Sequence, residues 1–315
     1  MSKPQVLQLA AYPEFDRAAL EARFDLHKLF ESNDRAAFLA RVGPHIEAIA
    51  TDGGLGVAAD VMAACPQVRL IAVNGVGYNA VDLVACRTRG IRVTNTPGVL
   101  DGECADLAVG MMIALARGFV GGDAYARSGE WARRGPYPLQ RRVWGQRAGI
   151  LGLGRIGMEL GHRLHGFGMA ISYLARSPKD TPDGWNFVAD PVDLAKGSDF
   201  LFVTALANAS TRHIVSAAVL EALGQGMLIN ISRAQNVDEL ALLDALEAGA
   251  IGGAALDVFE GEPAVNPRFA GLANVLMQPH VGSATLETRM AMGKLMLDNL
   301  VAHFEGKPLL TEVTT

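Results

Sequence analysis

Cysteine is scarce in this chain: Cys65, Cys86 and Cys104 are the only three in 315 residues, and no two form a Cys-x-x-Cys pair. An odd count without that spacing argues against a disulfide framework or a zinc site, so no metal is expected and a reducing cytoplasm is the expected location. Cys104 also lacks any base partner that the sequence points to, as a thiol nucleophile would require. Basic runs and basic stretches studded with aromatics are missing too. With 28 Lys plus Arg against 33 Asp plus Glu, the net charge is −5, and nucleic acid is not an expected partner. Long apolar runs are absent: the longest, Ala105 to Ala116, contains Asp106 and falls far short of the roughly 20 residues of a membrane span, so no membrane partner is expected. The opening Met-Ser-Lys-Pro-Gln leads into Val6-Leu-Gln-Leu9, too short and too polar for a secretory leader. No internal repeat or low-complexity segment occurs.

What is present describes a globular α/β protein. Half of the residues are apolar and 19% are charged, and 315 residues suit two domains with full cores. Short β-rich runs alternate with amphipathic helical patterns, the signature of βαβ units. One series of strands is expected near Val6–Leu9, His27–Phe30, Ala48–Thr51, Arg69–Val73 and Ile91–Val93. A second runs through Ala148–Leu151, Met169–Leu174, Phe200–Val203, Met227–Asn230, Ile251–Ala255 and Val275–Gln278. Between the series, Asn95-Thr-Pro-Gly98 signals a turn and Asp101 to Arg117 reads as one largely apolar helix. A second long helix, Leu286 to Phe304, follows the last strand, and the tail Lys307-Pro-Leu-Leu-Thr311 is expected to return to the first domain. Arg127 to Arg147 is rich in Gly, Pro, Arg and Trp and lacks clear periodicity. The expected architecture is two doubly wound parallel-sheet domains, a Rossmann-type nucleotide domain (99–286) and a flavodoxin-like substrate domain (1–98 with 287–315), with a cleft between them.

The most informative stretch is Gly149-Ile-Leu-Gly152-Leu-Gly154-Arg-Ile-Gly157. It reads as strand, glycine turn and helix start. Gly152 permits the tight turn, Gly154 lets backbone approach a pyrophosphate, and Gly157 allows close helix–strand packing, while the helix start offers N–H groups to phosphate. The next strand should end where a carboxylate ordinarily accepts hydrogen bonds from the ribose diol. Here that place holds Ala175, Arg176 and Ser177. A cation and a hydroxyl suit a 2′-phosphate, so NADP(H) is expected, with NAD(H) the weaker possibility.

Three strand ends in the second series carry polar groups: Asn230-Ile-Ser-Arg233, Asp257-Val-Phe-Glu-Gly-Glu262-Pro, and Gln278-Pro-His280-Val-Gly-Ser283. Each residue alone has an ordinary structural explanation, but their joint placement beside a nucleotide site does not. A nicotinamide enzyme acting on a 2-oxo acid needs a cation to hold the carboxylate and polarise the ketone, and an acid to protonate the oxygen. Arginine supplies a planar, permanently charged fork, and histidine titrates near neutrality. Arg233 is therefore assigned to the substrate, His280 to proton donation, and Glu262 to orienting and charging His280.

At these residues the chain resembles the D-isomer-specific 2-hydroxyacid dehydrogenases over nearly its whole length. The segments that carry the resemblance are Asn74-Gly-Val-Gly77-Tyr-Asn-Ala-Val-Asp82, Gly90-Ile-Arg-Val-Thr-Asn-Thr-Pro97, the glycine turn, Leu228-Ile-Asn-Ile-Ser-Arg233, Ala255-Leu-Asp-Val-Phe-Glu-Gly-Glu262-Pro263 and Pro279-His280-Val-Gly-Ser-Ala284. The resemblance implies Arg233, Glu262 and His280 as the catalytic set and the backbone of Val76 and Gly77 as the substrate-carboxylate loop. It implies Asp257 at the nicotinamide carboxamide, Arg155 and Ile156 along the pyrophosphate, and Ser283 among the cofactor contacts. Within the family the chain looks closest to glyoxylate/hydroxypyruvate reductases and plant-type hydroxyphenylpyruvate reductases, on Arg176-Ser177 and the ending Val281-Gly-Ser-Ala-Thr-Leu-Glu-Thr-Arg289. Three departures border the site: Ala234 for a glycine, Ala205 for a proline, and Asp101-Gly-Glu-Cys104 at a helix start.

The implied activity is NADPH-dependent reduction of a small 2-oxo acid to its D-2-hydroxy acid, with bulkier 2-oxo acids left open. A homodimer through the nucleotide domain is implied, with Arg127–Trp144 as a candidate contact. A nucleotide-sensing corepressor is the reading from a different class. Phosphoglycerate oxidation conflicts with Ala175, and formate oxidation with Glu262, where that branch carries Gln.

Overall fold

Strands such as Leu70–Asn74 and Phe200–Val203 are buried at every residue, as expected where helices cover both faces of a parallel sheet. The computed structural model describes residues 3–313. Two compact units emerge, one of Met1–Leu100 with Ala284–Thr315 and one of Asp101–Ser283.

The first unit alternates β1 (Gln5–Gln8), α1 (Glu14–Arg23), β2 (Asp25–Lys28), α2 (Arg35–Val42), β3 (Ala48–Asp52), α3 (Ala59–Ala64), β4 (Leu70–Asn74), α4 (Leu83–Thr88) and β5 (Arg92–Thr94). Its five strands are parallel in the order β2-β1-β3-β4-β5, the flavodoxin-like winding. Strand β2 begins two residues earlier than expected, because Asp25 pairs with Gln5 and the chain turns at Leu29–Glu31 to bury Leu29. The 19-residue helix Leu286–Phe304 packs on α1 and β4. Beyond it the tail is fastened by Asn299, fully buried, whose Oδ1 accepts from Leu310 N (3.0 Å) and Thr311 N (3.2 Å). Glu312 then forms an antiparallel bridge with Thr94.

The second unit begins with α5 (Asp101–Ala116), α6 (Phe119–Arg127) and α7 (Glu130–Arg134). The stretch read as aperiodic thus contains a short helix, which the Glu130 carboxylate supports through ion pairs to Arg133 and Arg134. Then follow β6 (Arg147–Leu151), α8 (Arg155–Gly166), β7 (Ala170–Leu174), β8 (Asn186–Phe187), α9 (Pro191–Lys196), β9 (Phe200–Val203), α10 (Ala217–Leu223), β10 (Met227–Asn230), α11 (Glu239–Glu247), β11 (Gly253–Leu256) and β12 (Val275–Met277). The seven parallel strands run β12-β11-β10-β9-β6-β7-β8, so β6 lies between β7 and β9. This reversal is the switch point where a doubly wound sheet opens a crevice at its carboxyl ends. Strand β8, only two residues long, carries too little pattern to be seen in the sequence. The apolar helix α5 packs against α8 and is core, and no single described helix is long and apolar enough to cross a membrane.

Candidate active site

At the switch point Gly152 sits at φ +109°, and a Cβ there would lie 2.5 Å from both N and Cα of Ala205. Only glycine fits this turn, which Thr204 secures by donating its hydroxyl to Gly152 O at 2.6 Å. Gly157 faces the same carbonyl, with its virtual Cβ 2.3 Å from Gly152 O, so α8 sits hard against the turn. At Gly154, in contrast, nothing lies within 4 Å of a Cβ, and no side chain caps the helix. The first N–H groups of α8, from Arg155, Ile156 and Gly157, thus lie without a side-chain cap at the positive end of a 12-residue helix. Beyond β7, Arg176 and Ser177 are exposed, and the residues 175–177 include no carboxylate. An uncapped helix start, a cation and a hydroxyl together fit a dinucleotide carrying a 2′-phosphate.

The strand ends of β10, β11 and β12 bring Arg233, Glu262 and His280 together within this one unit. His280 Nδ1 lies 2.7 Å from Glu262 Oε2, and Glu262 Oε1 accepts from Phe259 N at 2.8 Å. One carboxylate thus fixes the imidazole while being fixed by backbone, which leaves His280 Nε2 as the nitrogen turned to other partners. His280 adopts φ +55°, uncommon for a residue with a side chain. The turn is held by Asp257, 1% exposed, whose two oxygens accept from Val281 N (2.7 Å) and Gly282 N (2.9 Å). Burial raises the Asp257 carboxyl above its usual range, while those two N–H groups and the His280 charge oppose the rise. A Cβ on Gly282 would stand 3.2 Å from Asp257 Oδ2 and 3.3 Å from Cys104 Sγ, so the turn is tightly seated; Ser283 follows it directly.

Arg233 is largely buried, and desolvation draws its guanidinium below the ordinary value, opposed chiefly by the charge of Glu262. Its Nη1 donates to Ser232 O at 2.7 Å. Two carboxamides build this loop: Asn230, part of the polar strand end expected from the sequence, and Asn236, which was not expected. Asn230 Oδ1 accepts from Ser232 N (3.0 Å) and Ser232 Oγ (2.9 Å), while its Nδ2 donates to Arg233 O (3.2 Å). Asn236, fully buried, donates from Nδ2 to Ser232 Oγ (3.0 Å) and to Ala205 O (2.8 Å). Because Ala205 also backs onto Gly152, the Arg233 loop and the glycine turn share one buried polar net. Buried amides just beyond a strand end were the available signal. The unexpected Ala205 needs only its backbone for both contacts; Ala234 is buried and opens a short 3-10 turn.

Val76 and Gly77 belong to the other unit, in the loop after β4. Asn95 Nδ2 donates to Val76 O at 2.9 Å and Thr96 N to Gly75 O at 2.9 Å, so the carbonyls of Gly75 and Val76 are engaged. Among the described residues no group of His, Cys, Asp and Glu is arranged to hold a metal ion.

Comparison with known proteins bears on this geometry. Residues 109–282 match the family described as D-isomer specific 2-hydroxyacid dehydrogenase, NAD binding domain. The chain is 41% identical over 309 residues to hydroxyphenylpyruvate reductase of Plectranthus scutellarioides, covering 98% of each. Among solved structures it is similar to a 2-hydroxyacid dehydrogenase of Ketogulonicigenium vulgare Y25, with TM-score 0.94, 60% identity, and 100% and 99% of the two chains covered. It is similar as well to an NADPH-dependent glyoxylate/hydroxypyruvate reductase of Sinorhizobium meliloti in complex with NADP and malonate, with TM-score 0.94, 38% identity, and 99% and 97% covered. A glycine turn at the switch point, an arginine and a carboxylate-held histidine at neighbouring strand ends, and these likenesses agree: the chain belongs to the D-isomer specific 2-hydroxyacid dehydrogenase family.

Proposed function

We propose that this chain reduces a small 2-oxo acid of the glyoxylate or hydroxypyruvate class to the D-2-hydroxy acid, using NADPH. The observation that carries the reading is the His280–Glu262 pair at 2.7 Å, in the same unit as the desolvated Arg233. When bound, the reduced nicotinamide supplies the hydride that reaches C2 of the ketone. Arg233 holds the substrate carboxylate and polarises the carbonyl, and its burial strengthens both effects. His280 delivers a proton from Nε2 to the carbonyl oxygen, and Glu262, a positioning residue, keeps Nδ1 protonated toward itself. The N–H groups of Val76 and Gly77 are assigned to the substrate carboxylate as well. Asp257 and Ser283 are assigned to the nicotinamide end, Gly152, Gly154, Arg155, Ile156 and Gly157 to the pyrophosphate, and Arg176 with Ser177 to the 2′-phosphate.

The test is NADPH consumption with glyoxylate, hydroxypyruvate and hydroxyphenylpyruvate, repeated with NADH. Turnover of the two small acids with NADPH preferred is expected; turnover of none of the three would overturn the reading. The Plectranthus likeness supports hydroxyphenylpyruvate as the second candidate substrate. A corepressor without turnover is not favoured, since the relatives named above are reductases and a dehydrogenase.

The proposed assembly is a homodimer formed through α6, α7 and the connection after them. Neither helix has a buried residue, and Phe119, Val120, Trp131, Leu139 and Trp144 are all exposed. A cytoplasmic location is proposed on the buried thiols of Cys65 and Cys86, the first pushed up to about 11 by desolvation, with Arg89 opposing.

A further inference from the structure

Strand β7 ends beside the two residues assigned to the 2′-phosphate, and one side chain closes the loop that carries them. Tyr173 is 2% exposed, and its hydroxyl accepts from Lys179 N at 2.9 Å and donates to Lys179 O at 3.3 Å. Its ring meets the edge of Phe187 at 5.8 Å, and its carbonyl accepts from Val188 N at 2.8 Å, so the phenol is anchored before it reaches the loop. At the other end, Leu174 O accepts from Gly152 N at 2.9 Å. Residues 175–178 thus hang between two fixed points, the glycine turn and the Tyr173 hydroxyl. Within that span Arg176 and Ser177 are exposed, and no described carboxylate pairs with Arg176. Nothing directs the Arg176 guanidinium except the backbone beneath it.

We infer that Tyr173 is a positioning residue for cofactor selection: its hydroxyl, clamped on Lys179, holds the 175–178 loop so that Arg176 and Ser177 meet a ribose 2′-phosphate. The inference rests on the NADP(H) reading above. Without the clamp the loop remains tied at Leu174 only and must be ordered when a phosphate binds, which costs affinity for the phosphorylated ribose alone. The unphosphorylated ribose makes no use of Arg176 and is indifferent to the clamp.

The experiment measures binding to the intact protein by calorimetry, with 2′,5′-ADP and 5′-AMP as probes that differ only in the phosphate. Tyr173→Phe keeps the ring and its packing while removing both hydrogen bonds. It is expected to weaken 2′,5′-ADP by about 2- to 10-fold, the scale of one or two ordinary hydrogen bonds, and to leave 5′-AMP unchanged. In an Arg176→Ala/Ser177→Ala background the same substitution is expected to add nothing, because both groups it positions are gone. Equal weakening of both probes, or no weakening of either, overturns the inference. Arg176→Ala alone separates the two levels: if it leaves discrimination between the probes intact, the NADP(H) reading itself fails. If it abolishes discrimination while Tyr173→Phe does not reduce it, only the role of Tyr173 fails.

Discussion

Two sets of strand-end loops in the same unit are held in opposite ways. The loops after β10 and β12, which carry Arg233 and His280, are tied by buried amides and a buried carboxylate: Asn230, Asn236 and Asp257 together make hydrogen bonds to six different backbone or hydroxyl groups. The loop after β7, carrying Arg176 and Ser177, is exposed and is held only by a backbone bond to the glycine turn and by one tyrosine hydroxyl. The difference follows from the proposed tasks. Proton and hydride delivery lose rate steeply when reacting atoms shift by an ångström, whereas recognition of a phosphate by a guanidinium tolerates a looser approach. Chemistry is over-determined here and cofactor choice lightly determined, so substitutions in the two regions should separate cleanly.

The largest effect is expected at the tight end. Arg233→Ala should lower kcat/KM for the 2-oxo acid by about 1,000-fold or more, the scale for removing a charged group from a dry site, with NADPH affinity within about twofold. Steady-state kinetics beside fluorescence titration of NADPH would measure both. A collapse of NADPH binding with normal turnover would break the comparison at its root. Asn236→Ala comes next. It touches no assigned ligand, yet it frees Ser232 and Ala205 from their shared anchor, and about a 100-fold fall in kcat/KM is expected from the misplaced Arg233. If that variant is only less stable, with unchanged kinetics below its melting transition, the net does not serve the chemistry. Arg176→Ala should cost about tenfold in NADPH affinity and leave NADH unaltered, as expected for one exposed charge-assisted contact. Equal losses for the two cofactors would remove the distinction between the regions.

Much of this was legible in the sequence, for different reasons in different places. Strands such as Phe200–Val203 announce themselves because burial on both faces leaves a continuous apolar run. The glycine turn is legible because one backbone conformation at Gly152 and one close approach at Gly157 admit no side chain. Arg233, Glu262 and His280 stand out because their types and strand-end positions match a chemical need. Asn236 and Tyr173 were not legible: an asparagine and a tyrosine have many uses, and theirs depend on partners 31 and 6 residues away. Helix α7 escaped notice since five residues hold less than two turns of pattern.

A carboxylate buried without such a net shows, by contrast, what the net accomplishes. Asp257 is a carboxyl in the interior but is answered by two N–H groups. Asp16, on α1 of the other unit, is also buried, and its Oδ2 has no hydrogen-bond partner. It lies so close to the terminal helix that a Cβ on Gly293 would fall 1.8 Å from its Oδ1, with Tyr12 and Arg289 as the titratable and charged groups that act on it or that it acts on. Burial raises its carboxyl from 3.8 to about 6, against an opposing pull from Arg289. A folded-state value above the unfolded one means that the folded chain holds the proton longer. Stability from this group is therefore full below about pH 4, declines as pH rises through about 6, and stays diminished above that. Asp16→Asn removes the ionisation while keeping the shape. The expected effect is thus a gain of about 1–3 kcal/mol at pH 8, seen as a melting temperature a few degrees higher, that vanishes near pH 4. Melting curves of both proteins across that range would check it, and a difference independent of pH would mean that Asp16 is not the strained carboxylate that its surroundings imply.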